Sequence, residues 1–152
     1  MNLKLGKNMT PKKSGIILIM LLFITCTSFK YPVSKADEII GNWLLPDNLE
    51  IEIFKKNHKF YGKITEVYGF KDGQEKDIHN PDQSKRNDNL IGKVIISDLL
   101  FDSETEQWIN GSIYAPQKGL TLELTILKVN GETLEARGSK LFFSKKIIWK
   151  RI

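Results

Sequence analysis

The stretch Leu49-Glu50-Ile51-Glu52-Ile53 alternates apolar and charged side chains without a break. Successive side chains of a β-strand point to opposite faces, so the pattern predicts a strand with its apolar residues in the core and both glutamates in water. The same period of two recurs at 59–67, 108–114, 120–126 and 147–152. From Ile40 onward no segment keeps a helical period over three turns. The chain is therefore predicted to be all-β.

Turn-forming residues separate these predicted strands. Pro46-Asp47-Asn48 and Lys56-Asn57-His58 bound the first ones, and Asn130-Gly131 is typical of a two-residue type I′ hairpin turn. Short strands joined by tight turns form an antiparallel meander, which favours a sandwich or a closed up-and-down barrel. The polar segment 69–89 is predicted to be an ordered loop over one mouth of the barrel. For 91–101 both a strand and a short helical turn stay open.

The N-terminal segment has the features of an export signal. Six lysines and no acidic residue precede Asp37, and the apolar run from Gly15 to Ile24 is too short to span a membrane. Ser34-Lys35-Ala36 has the small residues that signal peptidase accepts, so residues 1–36 are predicted to be a signal peptide and residues 37–152 a single exported domain, periplasmic or secreted. The alternative is lipidation of Cys26, which would anchor the domain to a membrane.

The charge of the predicted domain argues against a nucleic-acid partner, and its lack of cysteine excludes disulfide and thiol chemistry. Of the 23 basic residues, six lie in the leader, which leaves 17 against 18 acidic residues. A nearly neutral domain gives no reason to expect a nucleic-acid partner, and the leader or Cys26 is the expected route to a membrane. Since Cys26 is the only cysteine, the domain has neither a disulfide nor a thiolate for catalysis.

Two motifs at the ends of the domain resemble those of calycins, the lipocalin-like barrels. They are Gly41-Asn42-Trp43 near its start and Trp149-Lys150-Arg151 at its end. In calycins the tryptophan of Gly-x-Trp packs against a basic side chain of the last strand. The resemblance implies a lipocalin-like antiparallel barrel of about eight strands, closed at one end by Gly41, Trp43, Trp149 and Arg151.

The whole domain also resembles one bacterial family, domain of unknown function 2147. The further shared motifs are Tyr61-Gly62-Lys63-Ile64, Asn80-Pro81-Asp82 with Arg86 and Leu90-Ile91-Gly92, Trp108 with Gly111 and Ile113-Tyr114, and Leu134-Glu135-Ala136-Arg137-Gly138. The resemblance implies an exported lipocalin-like barrel. The chain departs from the family pattern at Ala115, at Leu120-Thr121-Leu122 and at Ser139, so no polar site is expected on those positions.

Candidate ligand-binding residues come from these motifs and from the aromatic residues. They are Tyr61, Asn80, Asp82, Arg86, Trp108, Tyr114 and Arg137. Asn80, Asp82 and Arg86 either face the charged end of a ligand or hold their own loop, with Arg86 paired to Asp82. Several aromatic side chains, among them Phe142 and Phe143, are candidates to point inward. Strand glycines at 62, 111 and 138 remove bulk from the wall, and two of them facing inward would favour a cavity.

Catalytic chemistry has weak support in this sequence. His79 lies near Asp77 and Asp82, an arrangement suited to a general base or a metal ligand, but a solvated loop histidine is the favoured interpretation. We therefore predict no catalytic residue, no metal site and no cofactor. The leading hypothesis is an exported, non-enzymatic module that binds a small hydrophobic or amphipathic molecule. The alternatives are an envelope interaction module with a filled barrel and, third, a hydrolase that uses His79.

Overall fold

The computed structural model describes residues 34–69 and 75–152. Within them, strands form one closed antiparallel barrel in which each strand pairs with its neighbours in the chain. The strands are β1 (Gly41–Leu44), β2 (Leu49–Lys56), β3 (Lys59–Val67), β4 (Val94–Asp102), β5 (Gln107–Ala115), β6 (Leu120–Asn130), β7 (Thr133–Lys140) and β8 (Phe143–Arg151). The predicted all-β, up-and-down barrel of about eight strands is confirmed. Cys26 and the predicted signal peptide up to residue 33 lie outside the described residues.

The alternation that predicted β2 is the alternation that builds the core. Leu49, Ile51 and Ile53 are at most 2% exposed, whereas Glu52 faces outward and pairs with Lys63 of β3 at 2.7 Å. Full burial of each such aliphatic side chain contributes roughly 1.5–3 kcal/mol. The closed barrel therefore rests on inward-facing residues contributed by every second position.

The segment 91–101, which the sequence left undecided, is mostly strand β4. Ile95 and Ile96 are both buried, and Asp98 has a φ of +62°. The pairing of β4 with β3 is irregular around Gly62. An alternation broken in this way does not show a clean period of two, which is why the sequence alone did not decide between strand and helix.

One predicted turn is displaced by a residue. Asn130 pairs with Thr133 as the last rung of the β6–β7 ladder, so the loop is Gly131-Glu132 and not Asn130-Gly131. A register shift between Ile126 and Lys128 lengthens β6 locally and moves the turn along the chain. The hairpin with positive φ at both loop residues is instead β2–β3, at Asn57 and His58.

The two ends of the barrel differ in structure. Because neighbouring strands run in opposite directions, the loops at 45–48, 116–119 and 141–142 share one end with the described parts of the β3–β4 loop, 68–69 and 75–93. We call this end the open end. At the other, closed end lies a short 3₁₀ helix, Lys35–Ile39. Two buried tryptophans reach it, since the indole N–H groups of Trp43 and Trp108 donate to the carbonyls of Ile39 and Ala36, each at 2.8 Å. Of the described residues, none forms a helix that is apolar and long enough to cross a membrane.

Candidate functional site

A cavity of about 480 Å³ lies inside the barrel and reaches its open end. Residues of β5 to β8 and of the β1–β2 loop line it. The lining is mainly apolar and includes Leu45, Ile113, Leu120, Leu122, Ile147 and Trp149. The volume falls within the roughly 300–1,000 Å³ of small-molecule sites in proteins. The interior of this barrel is therefore not completely filled by its own side chains.

The three strand glycines named above differ in which side chain lies beside them. A Cβ at Gly62 would stand 2.9 Å from Ile96, and one at Gly111 would stand 2.5 Å from Leu99. Neighbouring core side chains thus already occupy the space at these two glycines. Gly138 lines the cavity, where a Cβ would stand 3.2 Å from Leu122. More than one strand glycine thus faces inward, which is the condition under which the sequence favoured a cavity.

The rim of the cavity is cationic. Lys118, Lys140 and Lys145 line it together with one carboxylate, Asp47. Lys145 is paired with Gly138 across the β7–β8 ladder, which places both on the inner face. Long lysine stems cover apolar surface while their ammonium groups reach water. The site thus combines an apolar interior with positive charge where it meets solvent.

A buried polar cluster stands beside this site at the open end. The Asp77 side chain is fully buried and accepts hydrogen bonds from the Tyr114 hydroxyl at 2.7 Å and from the Asn80 amide at 2.6 Å. The ammonium of Lys93 lies 2.9 Å from the same carboxylate. Since a buried carboxylate is stable only when it is paired and hydrogen-bonded, these three donors fix Asp77 in place. The cluster ties the β3–β4 loop to β5.

The pKa values of Tyr114 and Lys93 in this cluster are shifted by burial and by their contacts with Asp77. Burial raises the pKa of Tyr114, and the hydrogen bond that its hydroxyl donates to Asp77 raises it further. Burial acts to lower the pKa of Lys93, but hydrogen bonds and charge attraction from Asp77 and Asp88 outweigh it, so the pKa is raised. Both groups are therefore held protonated in the folded state.

The β3–β4 loop is seated on the β5–β6 turn. A Cβ at Gly119 would stand 1.9 Å from the backbone oxygen of His79, and Gly119 has a φ of +58°. Both observations require glycine at this position. The described part of the loop, 75–93, is thus ordered at the open end, although it contributes none of the residues that line the cavity.

The predicted ligand-binding residues lie around the barrel and not in the cavity. Tyr61 and Arg137 lie on the outer face, because the inward positions next to them are taken by Gly62 and Gly138. Trp108 is buried at the closed end, and Tyr114 belongs to the Asp77 cluster.

The remaining candidates organise the β3–β4 loop. Asn80 holds Asp77, and Asp82 accepts hydrogen bonds from the backbone and hydroxyl of Ser84 at 3.0 and 2.7 Å. The Ser84 hydrogen bonds lower the pKa of Asp82. Arg86 donates to the carbonyl of Asn80 at 2.9 Å, and the ion pair of Asp82 is with Lys85 instead of Arg86. These contacts match the interpretation in which the motif holds its own loop.

The residues at the base of the barrel form a separate, structural group. Gly41 approaches the guanidinium of Arg151 so closely that a Cβ would stand 2.8 Å from it. Trp43 is fully buried beneath that guanidinium, and buried Trp149 lines the cavity. The Gly-x-Trp motif and the last strand thus close one end of the barrel and shape the interior.

Sequence reasoning missed the residues that do line the cavity. The alternation at 120–126 predicts a strand that contains Leu120, Leu122 and Leu124, but alternation alone does not distinguish a filled core from a hollow one. Among the aromatic side chains that were candidates to point inward, Phe60 and Trp108 are buried, Phe143 lines the mouth of the cavity and Phe142 is fully exposed. In the part of the chain that the structure describes, no three His, Cys, Asp or Glu residues are grouped as a metal site.

The fold and the cavity define a class, that of small lipocalin-like barrels. The chain belongs to the family of uncharacterized proteins conserved in bacteria, DUF2147, whose model matches residues 41–151. Among solved structures it is similar to protein HP1028 from the human pathogen Helicobacter pylori, described as belonging to the lipocalin family. That likeness has a TM-score of 0.65 and 25% identity, and covers 74% of this chain and 82% of the other. No curated protein sequence matches the chain.

Proposed function

We propose that this protein is an exported, non-enzymatic binding module that holds a small amphipathic molecule with an anionic head, such as a fatty acid. The observation that carries the proposal is the apolar cavity with lysines at its rim. An acyl chain would lie against Leu122, Ile147 and Trp149. Its carboxylate would reach the ammonium groups of Lys140 and Lys145.

Hydrophobic burial supplies the affinity in this proposal. Each methylene group removed from water contributes about 0.8 kcal/mol, which is about fourfold in the dissociation constant. Affinity should therefore rise with chain length until the cavity is full. The lysines add specificity for the head group more than they add affinity, because charges at a solvent-exposed rim are screened.

Other observations bear on the alternatives. A cavity of about 480 Å³ disfavours an interaction module with a filled barrel. For a hydrolase, Asp77 is the wrong partner of His79, because both of its oxygens already accept from Tyr114, Asn80 and Lys93. Export is supported by the basic, apolar and small-residue pattern of the N-terminal segment.

The experiment is a calorimetric titration with straight-chain alkanoic acids of increasing length. We expect the affinity to rise about fourfold per methylene and then to level off. Ala115→Trp, which places an indole at the cavity wall, should abolish binding. Thr121→Trp, at an exposed position of β6, should not. An affinity that is independent of chain length, or equal loss in both variants, would contradict the proposal.

A further inference from the structure

The β7–β8 hairpin ends in a tip of three apolar residues at the open end. Leu141, Phe142 and Phe143 are 91%, 105% and 61% exposed. Single exposed apolar side chains are common on soluble proteins, whereas a contiguous apolar patch marks a surface that contacts a partner. Leu141 and Phe143 also line the mouth of the cavity. The tip and the cavity entrance therefore face the same side.

Residue choice at this turn works against folding. Lys140 pairs with Phe143, so the loop consists of Leu141 and Phe142, and Leu141 has a φ of +52°. Two-residue hairpin loops favour Asn, Asp or Gly where φ is positive, because a Cβ is strained there. The chain keeps a large apolar side chain where stability favours a small or polar one. Such an outlier points to a function for the exposed tip.

Positive charge predominates around the apolar tip, with three lysines on the cavity rim against one carboxylate, Asp47. Lys140 and Lys145 belong to the same hairpin, and Lys118 lies at the neighbouring turn along the cavity rim. Among the residues that the structure describes, none forms an ion pair with these three lysines, whereas Lys146 pairs with Glu135 at 2.7 Å. Aromatic and leucine side chains among lysines are the composition that enters the interface of an anionic bilayer.

We propose that the protein docks through this tip on an anionic lipid bilayer. Leu141 and Phe142 enter the interface between head groups and acyl chains, and the rim lysines meet the lipid phosphates. Docking places the cavity mouth against the membrane, where an amphipathic molecule can pass between bilayer and cavity without crossing water. The docking itself stands on the hairpin and does not require the proposed ligand.

Vesicle co-sedimentation of the full chain tests the docking. Each variant is compared with the wild type, so that residues 1–33 contribute equally. On phosphatidylglycerol vesicles, Leu141→Asn combined with Phe142→Ser should lower partitioning roughly tenfold or more. Ile148→Ser, which removes an exposed apolar side chain from the outer face of β8, should leave partitioning unchanged. Lys140→Glu with Lys145→Glu should also release the protein, and Lys150→Glu at the closed end should not.

Stability separates docking from a structural role of the tip. Because Asn tolerates positive φ, the Leu141→Asn, Phe142→Ser variant should resist urea at least as well as the wild type while it loses the vesicles. Equal partitioning of this variant and the wild type would overturn the proposal. So would equal binding to phosphatidylcholine vesicles, or a tip that mediates dimerisation in sedimentation velocity in place of vesicle binding.

Two variants distinguish this proposal from ligand binding. Phe142 does not line the cavity, so Phe142→Ser should weaken docking and leave the affinity for alkanoic acids unchanged. Ala115→Trp should abolish ligand binding and leave docking unchanged. If Phe142→Ser lowers both, or neither, the tip is not a separate docking element and the inference fails.

Discussion

The guanidinium of Arg151 lies 4.1 Å from the centre of the Trp43 ring. The same group donates hydrogen bonds to the carbonyls of Glu38, Ile40 and Gly131 at 2.7, 3.1 and 2.8 Å. Strands β1 and β8 share two register pairs, so this is the shortest seam of the barrel. One side chain therefore joins the 3₁₀ helix, β1 and the β6–β7 turn where strand pairing is weakest.

Removal of this side chain should loosen the seam. Arg151→Ala is expected to lower the free energy of unfolding by about 2 kcal/mol, from the lost cation–π contact and the charged hydrogen bonds at a partly exposed site. Arg151→Lys should recover only part of it, because an ammonium group cannot satisfy three separated carbonyls. Urea unfolding measures both. Lys150→Ala, at the exposed neighbouring position, should stay within about 0.5 kcal/mol of the wild type, and an equal effect there would contradict this role.

The seat of the β3–β4 loop can be tested with a matched pair of glycines. Gly119 and Gly131 both have positive φ, but a Cβ would meet the His79 carbonyl at Gly119 and nothing within 4 Å at Gly131. Gly131→Ala should cost about 1–2 kcal/mol of backbone strain. Gly119→Ala should cost more and should also raise amide hydrogen exchange at Asp77 and Leu90. Similar exchange in the two variants would mean that the loop does not rest on this turn.

Alkaline pH should weaken the cluster around Asp77. The pKa of Tyr114 is raised above its ordinary value near 10, and that of Lys93 above its ordinary value near 10.5. The folded state holds both protons more tightly than the unfolded chain, so this stabilisation is complete below about pH 10 and is lost as the pH rises above it. The free energy of unfolding should therefore fall above about pH 10. In the Tyr114→Phe variant this free energy should fall less steeply with pH. In the Tyr61→Phe variant, changed on the outer face, it should fall as it does in the wild type.

The rim lysines should select the head group of the ligand. Lys140→Gln combined with Lys145→Gln is expected to weaken binding of an alkanoic acid several-fold, since an exposed ion pair contributes roughly 0.2–1 kcal/mol. The affinity for the alcohol of equal chain length should stay the same. Lys150→Gln serves as the control for net charge. Equal losses for acid and alcohol would show that the lysines shape the cavity and do not bind the head group.

Most of the fold could be predicted because it depends on alternation. The alternation from Leu49 to Ile53 predicts which side chains of β2 face the core and which face water. Each similar run adds one strand to the antiparallel barrel. The prediction lost accuracy where tertiary packing changes the register, as at the shift between Ile126 and Lys128 that moves the turn. Asp98 has a positive φ inside β4, and a period of two in the sequence does not predict such a local break in the strand.

The candidate site was harder to predict than the fold. Alternation shows which residues face inward. It does not show where side chains from opposite strands fill the interior and where they leave a cavity. Ile96 and Leu99 fill the space at Gly62 and Gly111, and only packing in three dimensions shows this. The polar motif Asn80-Pro81-Asp82 is conspicuous in sequence because it builds a loop. The cavity, in contrast, is lined by leucines that cannot be distinguished in the sequence from residues of a packed core.

Native mass spectrometry tests the central claim most directly. The protein is purified from its host without detergent and compared with its Ala115→Trp variant. We expect the wild type to carry an additional mass that lipid extraction identifies as an amphipathic acid, and the variant to carry none. A wild-type protein free of any bound molecule, which also fails to take up an alkanoic acid added in excess, would contradict a ligand-binding barrel.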